Sequence, residues 1–147
     1  MNNGNIAFSG IYEPLDIVYC VNNNKIIIWN YKKQQDIIIF DKITSPIICL
    51  HFTQPKKEIF SDEIKYIAVA CTSNNLYIIL ITVENQIYSD NINNKNHIKL
   101  MLSNYSVGLS NTVNSIVSTG KRRIFIGSDN NNLFELNYTV KIDNKII

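Results

Sequence analysis

The sequence predicts an all-β protein that forms part of a β-propeller. Of its 147 residues, 46% are hydrophobic, and the chain contains 27 Ile and 22 Asn against only 3 Ala. β-Branched residues favour strands, whereas Asn favours turns and disfavours helix interiors. From Leu15 onward, short apolar runs alternate with polar stretches and lack the spacing of an amphipathic helix. These observations predict many short strands joined by Asn-rich turns.

The predicted strands follow one another with short connections, as is common between neighbouring strands. In the run 46–53, apolar residues occupy both alternating sets of positions, so we expect both faces of that strand to be buried. The full set of predicted strands is 15–21, 25–31, 36–41, 46–53, 64–72, 76–83, 97–102, 113–118, 122–128 and 133–140.

Three hairpins repeat one unit of strand, Asn-rich turn and strand, at intervals of about 50 to 57 residues. Asn tolerates the positive φ that tight hairpin turns require. A repeat of this length without a helix indicates propeller blades of about four strands each. We therefore expect the end of one blade at 15–41, a full blade at 46–102 and most of a third at 113–140. Because a propeller needs more blades than this, the chain is predicted to be a fragment of a larger propeller.

Charge and cysteine content argue against several functional classes. The net charge is +2, with 14 basic and 12 acidic residues scattered along the chain, so no nucleic-acid partner is expected. The N-terminal residues lack the pattern of a signal peptide. The widely spaced Cys20, Cys49 and Cys71 form neither a disulfide framework nor a metal-ligand pattern, which fits a reducing compartment.

Motifs for catalysis are absent from the sequence, so we expect no cofactor, no metal and no small-molecule substrate. One alternative is an enzyme on a β scaffold. Cys49 and His51 lie two residues apart on a predicted strand and share a face, so they could act as nucleophile and base or as half of a metal site. The simpler interpretation of this pair is core packing.

The segment 100–113 mixes small polar residues with spaced apolar ones and carries little charge. Such a segment could form an amphipathic helix on a curved membrane. The alternative, which the predicted strand at 97–102 favours, is a strand end followed by a loop between blades. On the membrane interpretation, the contacting residues are Met101, Leu102, Tyr105, Val107 and Leu109.

Three phrases of the sequence carry a family resemblance. The first is Ile-Trp-Asn-Tyr at 28–31, followed by an Asp-to-Asp apolar run at 36–41. The second is the loop 54–60 with the strand 64–72 behind it. The third covers 123–138, with Arg-Ile-Phe at its start and Leu-Phe-Glu near its end.

In order and spacing these phrases resemble the N-terminal propeller of the non-repetitive inner-ring scaffold nucleoporins, the 155/170-kDa class. The first resembles that family's W-N-Y followed by aspartate-apolar-F-D. The second is similar to its K-P-K-x-G-I-F loop, and the third to its R-I-F-x-x-G-x-D-G-x-L-Y-E-x-x-Y stretch. The family's Asp-Gly turn is Asp129-Asn130 here, lengthened by further Asn.

The resemblance implies a structural constituent of the nuclear pore inner ring, without enzymatic activity, that supports nucleocytoplasmic transport and pore assembly. It implies a location at the nuclear envelope, other pore scaffold subunits as partners, and a membrane-contacting loop near 100–111. A generic propeller adaptor that binds proteins outside the pore is the alternative.

Seven residues are expected to pack or turn between blades. The Trp29 ring is expected to lie between sheets with its N–H bonded, and its replacement by Ala would then lower stability by about 3–5 kcal/mol. The seven are Trp29, Tyr31, Phe40, Phe60, Phe125, Gly127 and Tyr138.

Overall fold

The computed structural model describes residues 7–32, 37–86 and 95–139, and the regular secondary structure of these residues is almost entirely β-strand. A 3-10 turn, Glu13–Leu15, lies between the first two strands. The strands are β1 Ala7–Tyr12, β2 Ile17–Asn22, β3 Lys25–Asn30, β4 Ile38–Phe40, β5 Cys49–Thr53, β6 Ile64–Cys71, β7 Asn75–Gln86, β8 Lys95–Gly108, β9 Val113–Ser118, β10 Ile124–Ser128 and β11 Leu133–Leu136.

The strands form three antiparallel sheets in chain order. The first sheet is β1-β2-β3-β4, the second is β5-β6-β7-β8, and the third is β9-β10-β11. Neighbouring strands in each sheet are consecutive in sequence, so each sheet is a meander of hairpins. The all-β prediction is therefore confirmed, and the two four-stranded sheets have the strand number of propeller blades.

The hairpin turns use the chemistry that the sequence predicts at two of the three repeats. Asn23 and Asn131 both adopt left-handed backbone conformations, with φ of 57° and 59°. These residues lie in the turns after β2 and β10, respectively. Asn reaches this region at lower steric cost than most residues, which explains why turns in this Gly-poor chain contain it.

The first sheet is larger than the sequence predicts. Its strand β1 pairs with β2 from Ala7↔Asn22 to Tyr12↔Ile17, so one further strand precedes 15–41 and the sheet has four strands. The segment was missed because Ser9 and Gly10 interrupt its apolar pattern. Gly10 fits there because a Cβ at this position would collide with the ring of Tyr19.

The other two sheets differ from their predicted bounds mainly at their ends. In the second sheet, β8 continues to Gly108, beyond the predicted end at 102. The third sheet contains three strands in the part that the structure describes, and its predicted end at Val140 lies outside the described residues.

The second sheet lies between the other two and contributes to two hydrophobic cores. Ala68 and Ala70 of β6 face the first sheet, where they join Ile17, Ile26 and other side chains in one cluster. The alternate β6 side chains, Ile67, Val69 and Cys71, face the third sheet and belong to the second cluster. All five consecutive β6 residues are 0% exposed, as burial on both faces requires.

The first sheet places Trp29 on its outer face, and not between the sheets that the structure describes. Trp29 is 48% exposed and lies opposite Val18, beside the exposed Ile39. Ile28 points inward instead. Because both faces of β3 are apolar in sequence, the alternation alone could not decide which set of side chains faces the core. Tyr31 is also exposed, whereas Phe40 lies in the core.

The two adjacent β3 positions give a direct test of this orientation. Ile28→Ala removes a side chain that is 1% exposed and should lower the free energy of unfolding by about 2–5 kcal/mol. Trp29→Ala should lower it by only about 1 kcal/mol, because half of the ring already contacts water. Urea unfolding followed by circular dichroism measures both, and a larger loss for Trp29→Ala would contradict the orientation.

Candidate functional site

The candidate functional site lies where the connection between β5 and β6 contacts the third sheet. Residues 54–63 leave β5 at Thr53 and turn back into β6 at Ile64. Pro55 stops the strand pairing, since proline lacks the N–H that a ladder needs. Glu58 then adopts a left-handed backbone with φ of 68°. The scaffold-nucleoporin pattern has Gly at this position, which is the residue that such a turn favours.

Tyr138 joins this connection to the third sheet through its hydroxyl group. The Oη atom accepts a hydrogen bond from the backbone N–H of Lys56 at 2.8 Å and donates one to the carbonyl of Arg122 at 3.1 Å. The residue is only 3% exposed, and this burial raises the pKa of its phenol. The hydroxyl therefore stays protonated and serves both bonds at neutral pH.

We call the two hydrogen bonds of the Tyr138 hydroxyl the Tyr138 clamp. Aromatic rings pack beside this clamp. Phe60 stacks on Tyr138, with ring centroids 6.3 Å apart, and meets the edge of Tyr105 at 5.4 Å. The Tyr105 hydroxyl donates a hydrogen bond to the carbonyl of Thr139 at 3.0 Å. The cluster thus ties β8, the connection 54–63 and the segment after β11 to one another.

Two cationic side chains complete the site. The Lys56 ammonium lies 5.0 Å from the centre of the Tyr138 ring, within range of a cation–π interaction. The Arg122 guanidinium donates to the carbonyl of Pro55 at 3.2 Å from a turn in which its own φ is 67°. No local feature of the sequence marks Arg122, because its partner lies 67 residues away.

Of the seven predicted packing residues, the structure brings together Phe60 and Tyr138 at this site. Phe125 lies instead on the outer face of β10, under the guanidinium of Arg123 at 4.9 Å. Gly127 lies inside β10 and has no left-handed φ, so it is not part of a turn. A Cβ at this position would lie 2.7 Å from Ser115 Oγ, so the Ser115 side chain would have to move to accommodate it.

The outer face of the third sheet carries an exposed ion pair. Arg123 Nε and Nη2 donate to the two carboxylate oxygens of Glu135 at 2.7 and 2.8 Å. The hydrogen bond to Arg123 lowers the pKa of the Glu135 carboxyl group. The pair links the two strands, since Glu135 lies in β11 and Arg123 directly precedes β10.

The segment predicted as an alternative membrane helix is a strand. It forms the end of β8 up to Gly108, because its apolar side chains alternate between the two faces of the second sheet. Met101 and Val107 are exposed, Leu102 packs toward the first sheet, and Tyr105 and Leu109 pack against the cluster beside the third. Within the described ranges, no helix is long and apolar enough to cross a membrane.

The pair Cys49 and His51 lies on the face of β5 toward the third sheet, as its spacing predicts. Burial raises the pKa of the Cys49 thiol, the opposite of what activates a nucleophile. His51 Nε2 lies 2.8 Å from Ser118 Oγ. Among the residues that the structure describes, no three His, Cys, Asp or Glu side chains are grouped to hold a metal ion.

Removal of the Tyr138 hydroxyl oxygen tests the Tyr138 clamp. Tyr138→Phe leaves the Lys56 N–H without its acceptor and should lower the free energy of unfolding by about 1–3 kcal/mol. Tyr31→Phe, at an exposed ring, is the control and should change it by no more than about 0.5 kcal/mol. Chemical denaturation measures both, and equal small effects would rule out a clamp.

Burial of His51 should make stability depend on pH. Burial lowers its folded-state pKa below 6.5, so below that pH the folded protein binds fewer protons than the unfolded chain. Stability is therefore unaffected above pH 6.5 and falls as the pH drops from 6.5 toward the folded-state pKa. His51→Gln should remove part of this acid sensitivity, as measured by unfolding at about pH 7.5 and about pH 5.5. The exposed His97→Gln should retain it; equal profiles for both variants would contradict the assignment.

A family model described as Nup133 N terminal like, for the N-terminal domain of nucleoporins, matches residues 1–143. The solved structure of the Chaetomium thermophilum Nup170 N-terminal domain, in complex with Nup53, superposes with a TM-score of 0.78 at 18% identity. That match covers 92% of this chain and 19% of the solved one. The arrangement of three meander sheets is thus that of a β-propeller segment.

Two curated relatives agree with this match. A probable nucleoporin of Schizosaccharomyces pombe, C890.06, is 23% identical over 138 residues, which cover 90% of this chain and 10% of the relative. The nuclear pore complex protein Nup154 of Drosophila melanogaster is 23% identical over 133 residues, which cover 88% and 9%. The chain spans about a tenth of the length of these relatives. With its family model matched over residues 1–143, the chain belongs to the nucleoporins with a Nup133-like N-terminal domain.

Proposed function

We propose that this chain is a propeller segment of a scaffold nucleoporin of the 155/170-kDa class, located in the nuclear pore complex at the nuclear envelope. Its role is structural: it supports pore assembly and, through it, nucleocytoplasmic transport, without making or breaking a bond. The family match over residues 1–143 carries the proposal.

The packing of the described residues suits a scaffold. Two continuous hydrophobic clusters join the three sheets, and the buried side-chain nitrogen and oxygen atoms of the described part all have hydrogen-bond partners. A unit packed in this way holds its surface loops in fixed relative positions, which a scaffold requires. The raised pKa of Cys49 and the engagement of His51 by Ser118 favour packing over catalysis at that pair.

Other nuclear pore scaffold subunits are the proposed partners. The similar Nup170 domain was solved in complex with Nup53, which supports a partner of the nucleoporin class for the parent of this segment. A generic propeller adaptor outside the pore has no observation in its favour beyond the blade architecture itself.

Localisation tests the proposal. A fluorescent tag on the full-length gene product should give a punctate nuclear rim that coincides with an independent pore marker. Cytoplasmic foci, or a diffuse signal at the expression level of the native gene, would contradict the proposal and favour an adaptor. The tag expressed alone is the control for background signal.

A further inference from the structure

A groove opens beside the Tyr138 clamp, between the connection 54–63, the start of β6 and Arg122. Its volume is about 550 Å³, and its walls include the aromatic rings of Phe60 and Tyr66. This volume is within the range of sites that hold a small ligand or a few side chains of a peptide. None of the residues predicted from the sequence as membrane-contacting lines it.

Several residues around this groove have energetically unfavourable or irregular backbone conformations. Glu58 and Arg122, with φ of 68° and 67°, both line it, although neither is Gly. A third irregularity is the bulge between Ile64 and Tyr66, which leaves Lys65 outside the regular pairing of β6 with β7. Left-handed non-glycine residues and bulges concentrate at sites where a side chain must be aimed at a ligand.

Hydrogen bonds within the chain hold the walls of the groove in place without a bound partner. The Lys56 N–H and the Arg122 carbonyl are both hydrogen-bonded to the Tyr138 hydroxyl. The Arg122 guanidinium is hydrogen-bonded to the Pro55 carbonyl. The turn into β6 is closed by the Ile64 N–H, which donates to the Ser61 carbonyl at 3.0 Å. A preformed wall lowers the ordering cost of binding.

The charges on the walls are unbalanced in favour of cations. Four basic side chains line the groove against two acidic ones, Glu58 and Asp62. Arg122 and Lys56 are engaged as described above. Lys57 and Lys65 are exposed, and neither forms an ion pair with the residues that the structure describes. Two cations are therefore available to a ligand at the mouth of a groove with aromatic walls.

We propose that this groove binds an extended acidic segment of a partner protein, with carboxylates at Lys57 and Lys65 and an apolar side chain against Phe60. Carboxylates complement the unpaired ammonium groups, and the aromatic wall favours a peptide, which supplies apolar side chains as well as charge. The proposal deepens the proposed scaffold function, on which it rests, by assigning one partner surface and its chemistry.

Fluorescence anisotropy with the 147-residue chain tests this directly. The probe is a short labelled peptide in which Glu alternates with Leu, and the same peptide with Gln in place of Glu is its control. The Glu peptide should bind saturably and the Gln peptide should not. Raising the salt from about 0.1 M to about 1 M should weaken binding, because the ion pairs are exposed to solvent.

A matched pair of double variants locates the binding. Lys57→Glu with Lys65→Glu should weaken affinity for the Glu peptide by about tenfold or more. Lys25→Glu with Lys42→Glu changes the net charge equally at exposed positions outside the groove and should leave affinity within about twofold of the wild type. Circular dichroism spectra that match the wild type establish that both variants fold.

Three results would overturn the groove assignment. They are the absence of saturable binding by the wild-type chain, equal weakening by both double variants, and a preference for phosphatidylserine-containing vesicles over the peptide. A nuclear-rim signal for the full-length protein would stand in each case, so this proposal can fail while the scaffold function holds.

Discussion

The burial of the second sheet on both faces is the constraint on which the rest of the structure depends. A strand with two dry faces can have no polar side chain on either, and β6 meets this with Ile67 through Cys71. Its two faces differ in size: Ala68 and Ala70 leave room for the aromatic rings of Tyr12, Tyr19 and Phe52 beside the first sheet. The larger Ile67 and Val69 meet aliphatic side chains of the third sheet. β6 thus contributes side chains to both hydrophobic clusters that join the three sheets.

The contact between the connection 54–63 and the third sheet shows how a scaffold fold acquires a specific surface. Hydrophobic contact alone would leave the connection 54–63 free to move over the third sheet. The Tyr138 hydroxyl removes that freedom by bonding a backbone group on each side. The two bonded residues, Lys56 and Arg122, also line the groove, so the stability of this contact and the shape of the groove depend on the same residues.

Short-range features of this fold could be predicted from the sequence, and long-range ones could not. Alternation and turn chemistry identify ten of the eleven strands in the described residues, including β9 at its observed bounds, since both signals are local. The outward position of Trp29 could not be inferred, because β3 is apolar on both faces. The Tyr138 clamp could not be predicted for another reason. Lys56 and Tyr138 are 82 residues apart, and no local sequence pattern connects them. Phe60 and Tyr138 are among the predicted packing residues, whereas Tyr105 was predicted to contact a membrane and no local signal marks Arg122.

Hydrogen exchange of the 147-residue chain, followed by mass spectrometry, tests the central position of the second sheet most directly. Amides opened only by global unfolding exchange slowest. If β6 and β7 hold the three sheets together, peptides that cover them should exchange slowest, and those from the edge strands β4 and β11 should exchange fastest among the strands. Exchange of β6 as fast as that of β4 or β11 would contradict the account, since the three sheets would then be independent units.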